Sequence, residues 1–199
     1  MAMKLHELHP SLIHFPLALL PLSIASDLLG RATGSASLLD VGRRTMPLAA
    51  ASGLVAGVAG LMAQTEVKAE GGAMELLKTH RTLNLGLVAI AGAMAVQRVR
   101  KEKPSAAYIG LGLIGIATMA YSAYLGGEMV YRDGVGIEAA DGIRKRPKVP
   151  EHSLQQAGTA LRTAASDTAK GIQLTIEESV KGDLIPSMIN RQDDSAATT

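Results

Sequence analysis

The side chains of this chain best suited to chemistry are three histidines. His9 and His14 lie in His9-Pro10-Ser11-Leu12-Ile13-His14-Phe15-Pro16, at the head of one apolar segment, and His80 lies in Thr79-His80-Arg81-Thr82-Leu83-Asn84, at the head of another. Imidazole ligates haem iron, or a borderline ion such as zinc or copper, through one nitrogen while a hydrogen bond fixes the other. An ionisable side chain at membrane depth is costly, so each histidine is a candidate functional residue. His9 and His14 stand about 140° of rotation and about 7.5 Å of rise apart on an ideal helix. From a regular helix they cannot both face one small ion, but Pro10, Pro16 and Pro21 distort the early turns and leave the angle open. His80 and Asn84, at i and i+4, share one face.

Two chemistries follow. In the first, a haem b is clamped between histidines on different helices. His14 and His80 are matched in depth and are the expected axial pair, with Arg81 and Arg132 placed where propionates would emerge and His9 shallower as a hydrogen-bonding or gating residue. Gly53, Gly57 and Gly60 on one helix and Gly110, Gly112 and Gly115 on another would admit the flat macrocycle. In the second, His9, His14 and His80, with His6, Glu7, Glu66 or Glu128, bind a metal ion or serve structure alone. The bland readings stand beside these. Gly53-x-x-x-Gly57 is also a helix-packing pattern, Tyr124 and Tyr131 suit interface anchors, and Glu128 can simply pair with Arg132 at i+4. No nucleophile–base pair or metalloprotease motif occurs, so the chain does not read as a stand-alone enzyme.

The elements that must position these residues are apolar blocks. Leu8–Ser26, Thr45–Thr65, Thr82–Gln97 and Ser105–Gly127 contain no Asp, Glu, Lys or Arg. Each approaches or exceeds the ~20 residues that cross a bilayer core, and a soluble bundle would carry charges every few residues. The fold expected is all-α: an integral membrane four-helix bundle over residues 1–136, with helices near 9–30, 45–65, 74–100 and 104–131, and a polar tail over 137–199. Within the tail, Leu154, Leu161, Ala164, Ala165, Ile172 and Ile176 suit one weakly amphipathic helix ended by Gly182 and Pro186, with disorder from Arg191 on. The first block lacks a basic leader and a small-residue cleavage site, so it is expected to stay as the first helix. The chain has no cysteine, which excludes disulfides, thiolate metal sites and covalent haem attachment.

Arg31, Arg43 and Arg44 flank the first link between segments, and Arg98, Arg100, Lys101 and Lys103 flank the third. The positive-inside rule places these in the cytoplasm, with both termini and the histidines on the periplasmic side of a bacterial inner membrane. The partners expected are the lipid bilayer, a quinone or periplasmic redox protein, and a larger membrane complex. The basic loop is a topology signal rather than a nucleic-acid site.

Two stretches carry a family resemblance: His9-Pro10-x-x-x-His14-Phe15-Pro16-x-Ala18-Leu19, and Tyr124-Leu125-Gly126-Gly127-Glu128-Met129-Val130-Tyr131-Arg132-Asp133-Gly134-Val135-Gly136. With His80, they resemble the bacterial membrane family known as domain of unknown function 2231, over roughly residues 8–136. The resemblance implies four membrane helices. The family is also similar to the di-haem b-type membrane cytochromes, which would make helix histidines haem ligands. Asp133 departs from the pattern, standing where relatives commonly have histidine. The second and fourth helices carry no histidine, so a second bis-histidine haem is not expected.

Overall fold

The computed structural model describes residues 5–137 and 154–181, without side chains for 5–7 and 154–161. Its helices are α1 (Leu5–Leu12), α2 (His14–Thr33), α3 (Ala36–Ala63), α4 (Gly72–Arg100), α5 (Ala106–Tyr131) and α6 (Leu154–Val180), and the described residues contain no strand. Four spans are long and apolar enough to cross a membrane: Leu8–Thr33, Ala36–Ala63, Gly72–Arg100 and Ala106–Tyr131, with mean hydropathy between 1.4 and 1.7. Phe15, Leu48, Leu54 and Ile114 are among the large apolar side chains that point outward, as lipid-facing residues do.

The first span is divided at Ile13, between α1 and α2. Pro16 has no N–H to offer the Leu12 carbonyl, so the helical pattern lapses at Ile13. The backbone still bonds across this point, from Ile13 N to His9 O (3.1 Å) and from Leu17 N to Ile13 O (3.1 Å). Gly34, in the left-handed conformation at φ 73°, ends α2. Ser35 then caps α3, its Oγ accepting from Leu38 N at 3.4 Å. The second helix therefore begins at Ala36, well before the residue 45 expected. Arg43 and Arg44 are helical rather than in a link; Arg44 pairs with Asp40 one turn away, and Arg43 donates to Val99 O. After Pro104, Ser105 caps α5 by accepting from Tyr108 N.

Around the bundle α2 packs on α3, α3 on α4, α4 on α5 and α5 on α2. The four helices thus form a ring in chain order, with α2 and α4 on a diagonal. Leu20, Ile24, Met46, Ala49, Met94, Tyr108 and Ile109 fill the middle. A Cβ on Gly112 would collide with Ile24, so this glycine lets α5 close on α2.

At the basic end the diagonal is bridged by a buried ion pair. Asp27 and Arg98 have side chains 0% and 1% exposed and meet at 2.8 Å. Arg98 Nε donates to both carboxylate oxygens, Nη2 to Asp27 Oδ1 and Leu39 O, and Nη1 to the carbonyls of Lys101 and Glu102. Gly42 makes the room, because a Cβ there would overlap the Asp27 carboxylate. Ser23 on the same face donates to Gly42 O at 3.0 Å. A buried pair survives in a low-dielectric interior when its remaining donors are satisfied in this way. Arg98 is therefore a structural bridge rather than a free topology charge.

The tail helix packs on α3. Gly171 lies so close to the Leu61 carbonyl and Gln64 that a Cβ there would fall 2.8 Å and 2.6 Å from them.

Candidate functional site

The other end of the bundle holds the histidines, and it pairs His9 with His80. Their ring centroids are 6.1 Å apart and their planes are nearly perpendicular, at 87°. His14 goes elsewhere: it is exposed, and Nδ1 lies 3.4 Å from Ser11 O of its own turn. Ile13 keeps helical dihedrals, so the rotation of about 140° between His9 and His14 persists, and one turns inward as the other turns out. The expected facing of His14 and His80 is not what the chain adopts. The shallower histidine takes the inner position because it lies on the stripe that continues through Ile13, Leu17, Leu20, Ile24 and Asp27.

Each imidazole is anchored through Nδ1. His9 Nδ1 lies 2.8 Å from Ala56 O, and His80 Nδ1 lies 2.8 Å from Ser122 O and 3.0 Å from Ser122 Oγ. A carbonyl oxygen only accepts, so each Nδ1 carries the proton, and in the neutral form of the ring Nε2 has the free lone pair. The rings fit because glycines face them. A Cβ on Gly60 would lie 3.1 Å from His9 Nδ1, and one on Gly126 would lie 3.3 Å from His80 Cε1. Gly126 is well inside α5. Asn84 donates to His80 O and to Ser122 Oγ, both at 2.8 Å, locking α4 to α5 beside the ring.

Both histidines line two cavities, as do Gly57 and Asn84. One, of about 100 Å³, is walled by apolar residues including Leu20, Ala49 and Met119. The other, of about 320 Å³, adds Gln64 and Arg81 to apolar walls from Leu61, Leu77 and Val135. The turn after α5 helps to close it: Gly134 and Gly136 have positive φ, Val135 N bonds back to Met129 O, and Gly136 and Ile137 reach the cavity wall.

Of the expected anion-binding arginines, Arg81 lines this larger cavity. Its Nη1 donates to Gln64 Oε1 at 2.9 Å, and its Nη2 is ion-paired with Glu178 of α6. Arg132 lines neither cavity; it is half exposed and pairs with Glu128 and Asp133, each at 3.3 Å. Glu128 thus has the pairing that its i+4 spacing suggests. Among the described residues no three His, Asp or Glu side chains gather as a metal site. The set His9, His14 and His80 is therefore not brought together, since His14 is turned away, and the side chains of His6 and Glu7 lie outside the described residues.

Fold and site define an all-α membrane protein, a four-helix bundle with a half-buried histidine pair between its first and third spans. The chain belongs to the family described as "Predicted membrane protein (DUF2231)", whose model matches residues 5–139. That stretch takes in the four bundle helices and ends before α6. No curated protein and no solved structure matches the chain.

Proposed function

We propose that this protein is a one-haem membrane cytochrome in which His9 and His80 hold haem b. The observation that carries the reading is the pair itself. Both rings are tied through Nδ1 to backbone carbonyls, the outer-shell bond that metal-bound histidines make, and both keep Nε2 as the ligating nitrogen. The ring centroids lie 6.1 Å apart, close enough for both imidazoles to reach one metal ion held between them.

The surroundings fit the same group. Gly60 and Gly126 form cradles that a Cβ would fill, and Gly53 and Gly57 keep the neighbouring wall low. The smaller cavity is apolar, and the larger carries Arg81 and Gln64 as donors for an acidic edge. When bound, haem supplies one-electron transfer. The chain's own residues position the iron ligands, exclude water with apolar walls and offer a cation to the propionates. The redox partner is then a quinone or a periplasmic redox protein. The cation-rich end around Arg31, Arg43, Arg44, Arg100, Lys101 and Lys103 argues for a cytoplasmic location of that end and a periplasmic location of the histidines, in a bacterial inner membrane.

The test is the absorption spectrum of detergent-purified protein expressed with ample haem, oxidised and then reduced. A Soret band that shifts on reduction supports the proposal, and protein that stays colourless overturns it. Alkaline phosphatase fused to the C-terminus tests the orientation independently, because it is active only in the periplasm.

A further inference from the structure

Arg81 is a buried cation on a membrane-spanning helix, with a side chain only 8% exposed, and such a charge needs a counter-ion. Its ion-pair partner, Glu178, comes from α6, beyond the segment that the family model matches. Two more donors lie beside it, with Gln64 Nε2 packed against Gly171 of α6. Among the described residues, Arg81 Nε and Gln64 Nε2 are buried without a hydrogen-bond partner. Both side chains also line the larger histidine cavity. Orphaned donors on a buried guanidinium and a neighbouring amide make a site for acceptor oxygens, and a planar guanidinium suits a carboxylate best.

We infer that Arg81 and Gln64 form a carboxylate-recognition site at the cavity mouth, and that Glu178 is its in-chain occupant until the carboxylate of an entering ligand replaces it. The inference builds on the reading of the cavity as a ligand site, but it does not require that ligand to be haem. The α6 helix is fitted for the role. Gly171, two turns before Glu178, is notched against the Leu61 carbonyl and Gln64, which brings the glutamate over the mouth without covalent constraint from the bundle. Glu178 itself is 19% exposed, so it sits at the edge, where water and ligand can compete for Arg81.

The chain has no cysteine, so one reporter thiol can be placed cleanly in the full-length protein. Ala63→Cys puts it on the cavity wall. Its labelling rate would be measured with neutral N-ethylmaleimide and with 3-maleimidopropionate, which carries a carboxylate. With Glu178 in place both reagents should react slowly. Glu178→Gln should speed the carboxylate reagent by about tenfold relative to the neutral one, the size of one charge-assisted hydrogen bond. Adding Arg81→Gln should erase that preference. Gly171→Leu, which forces α6 off α3 by size alone, should reproduce the effect of Glu178→Gln with the glutamate still in the chain. Equal acceleration of both reagents would overturn carboxylate recognition, and no acceleration of either would overturn Glu178 as the occupant. None of these rates depends on a Soret band, so a colourless protein would reject the haem reading and leave this result standing.

Discussion

His9 and His80 meet 6.1 Å apart, and the two are seated by the same device: each donates Nδ1–H to the carbonyl of a residue four positions before a glycine against which its ring lies. For His9 the residues are Ala56 and Gly60 on α3; for His80 they are Ser122 and Gly126 on α5. The glycine leaves a gap one turn beyond the carbonyl, and the imidazole occupies it. Histidines on opposite corners of the bundle are thereby clamped by the two intervening helices, which fixes the nitrogen that each presents to the interior.

Ligand loss should follow this pairing. His9→Ala and His80→Ala should each abolish the Soret band of haem-loaded protein, while His14→Ala should leave it within experimental error of the parent. His14 is exposed and lines neither cavity. The measurement is a reduced-minus-oxidised spectrum at matched protein concentration. Loss of the band in His14→Ala with retention in His9→Ala would refute the assignment.

The glycines should matter through shape alone. In Gly60→Val and Gly126→Val the new side chain enters the space of the imidazole and pushes it off its carbonyl. One lost hydrogen bond of about 1 kcal/mol would weaken haem binding by about fivefold if nothing else moved. Titration of apoprotein with haem would measure it. Gly72→Val, where a Cβ meets nothing within 4 Å, is the control and should bind as the parent does.

Much of the fold was legible because lipid removes ambiguity: four charge-poor blocks of membrane length can hardly be anything other than spanning helices. Two things were harder to read. The start of α3 was missed because Asp40, Arg43 and Arg44 resemble a loop in a charge count, whereas they occupy a helix whose early turns carry an i,i+4 ion pair and a contact to the end of α4. Depth favours His14 over His9, but rotation decides between them. His9 and Asp27 are 18 residues apart, and so are His80 and Arg98. Eighteen residues make five turns, so each histidine shares a helix face with the member of the ion pair below it. Asp27 was the missing signal: a single acid near the end of the first span has to point inward, and that fixes the face on which His9 lies. The notch at Gly126 had no such signal, since Gly126-Gly127 looks the same in a helix and at its end.

The Asp27–Arg98 pair should behave as a buried bridge. Arg98→Met or Asp27→Leu alone leaves one charge uncompensated in the interior and should cost about 3–5 kcal/mol. The double variant should recover a large part of that loss, because no buried charge remains. Unfolding monitored by circular dichroism in detergent gives the cycle. Additive losses in the double variant would show that the two side chains do not act through each other. Gly42→Ala should resemble Asp27→Leu, since its methyl group would displace the carboxylate from the guanidinium.

Removal of the tail separates what α6 does from what the bundle does. Truncation after residue 139 keeps the whole family-matched segment and every contact of the two diagonal pairs. It removes Glu178 from Arg81 and the packing of Gly171 on α3. The bundle core lies elsewhere, around Ile24, Met46 and Tyr108, so the truncated chain should still insert, stay monodisperse in detergent and keep its helices. Stranding Arg81 should nevertheless lower stability by about 1–3 kcal/mol, the penalty for a buried donor group left without its partner. Arg81→Met placed in the truncated chain should restore most of that loss, since it removes the stranded charge and keeps the side-chain volume. Size-exclusion profiles and thermal unfolding of the three proteins decide the matter. An aggregated truncation that Arg81→Met does not rescue would mean that α6 belongs to the fold itself and not to the mouth of the cavity.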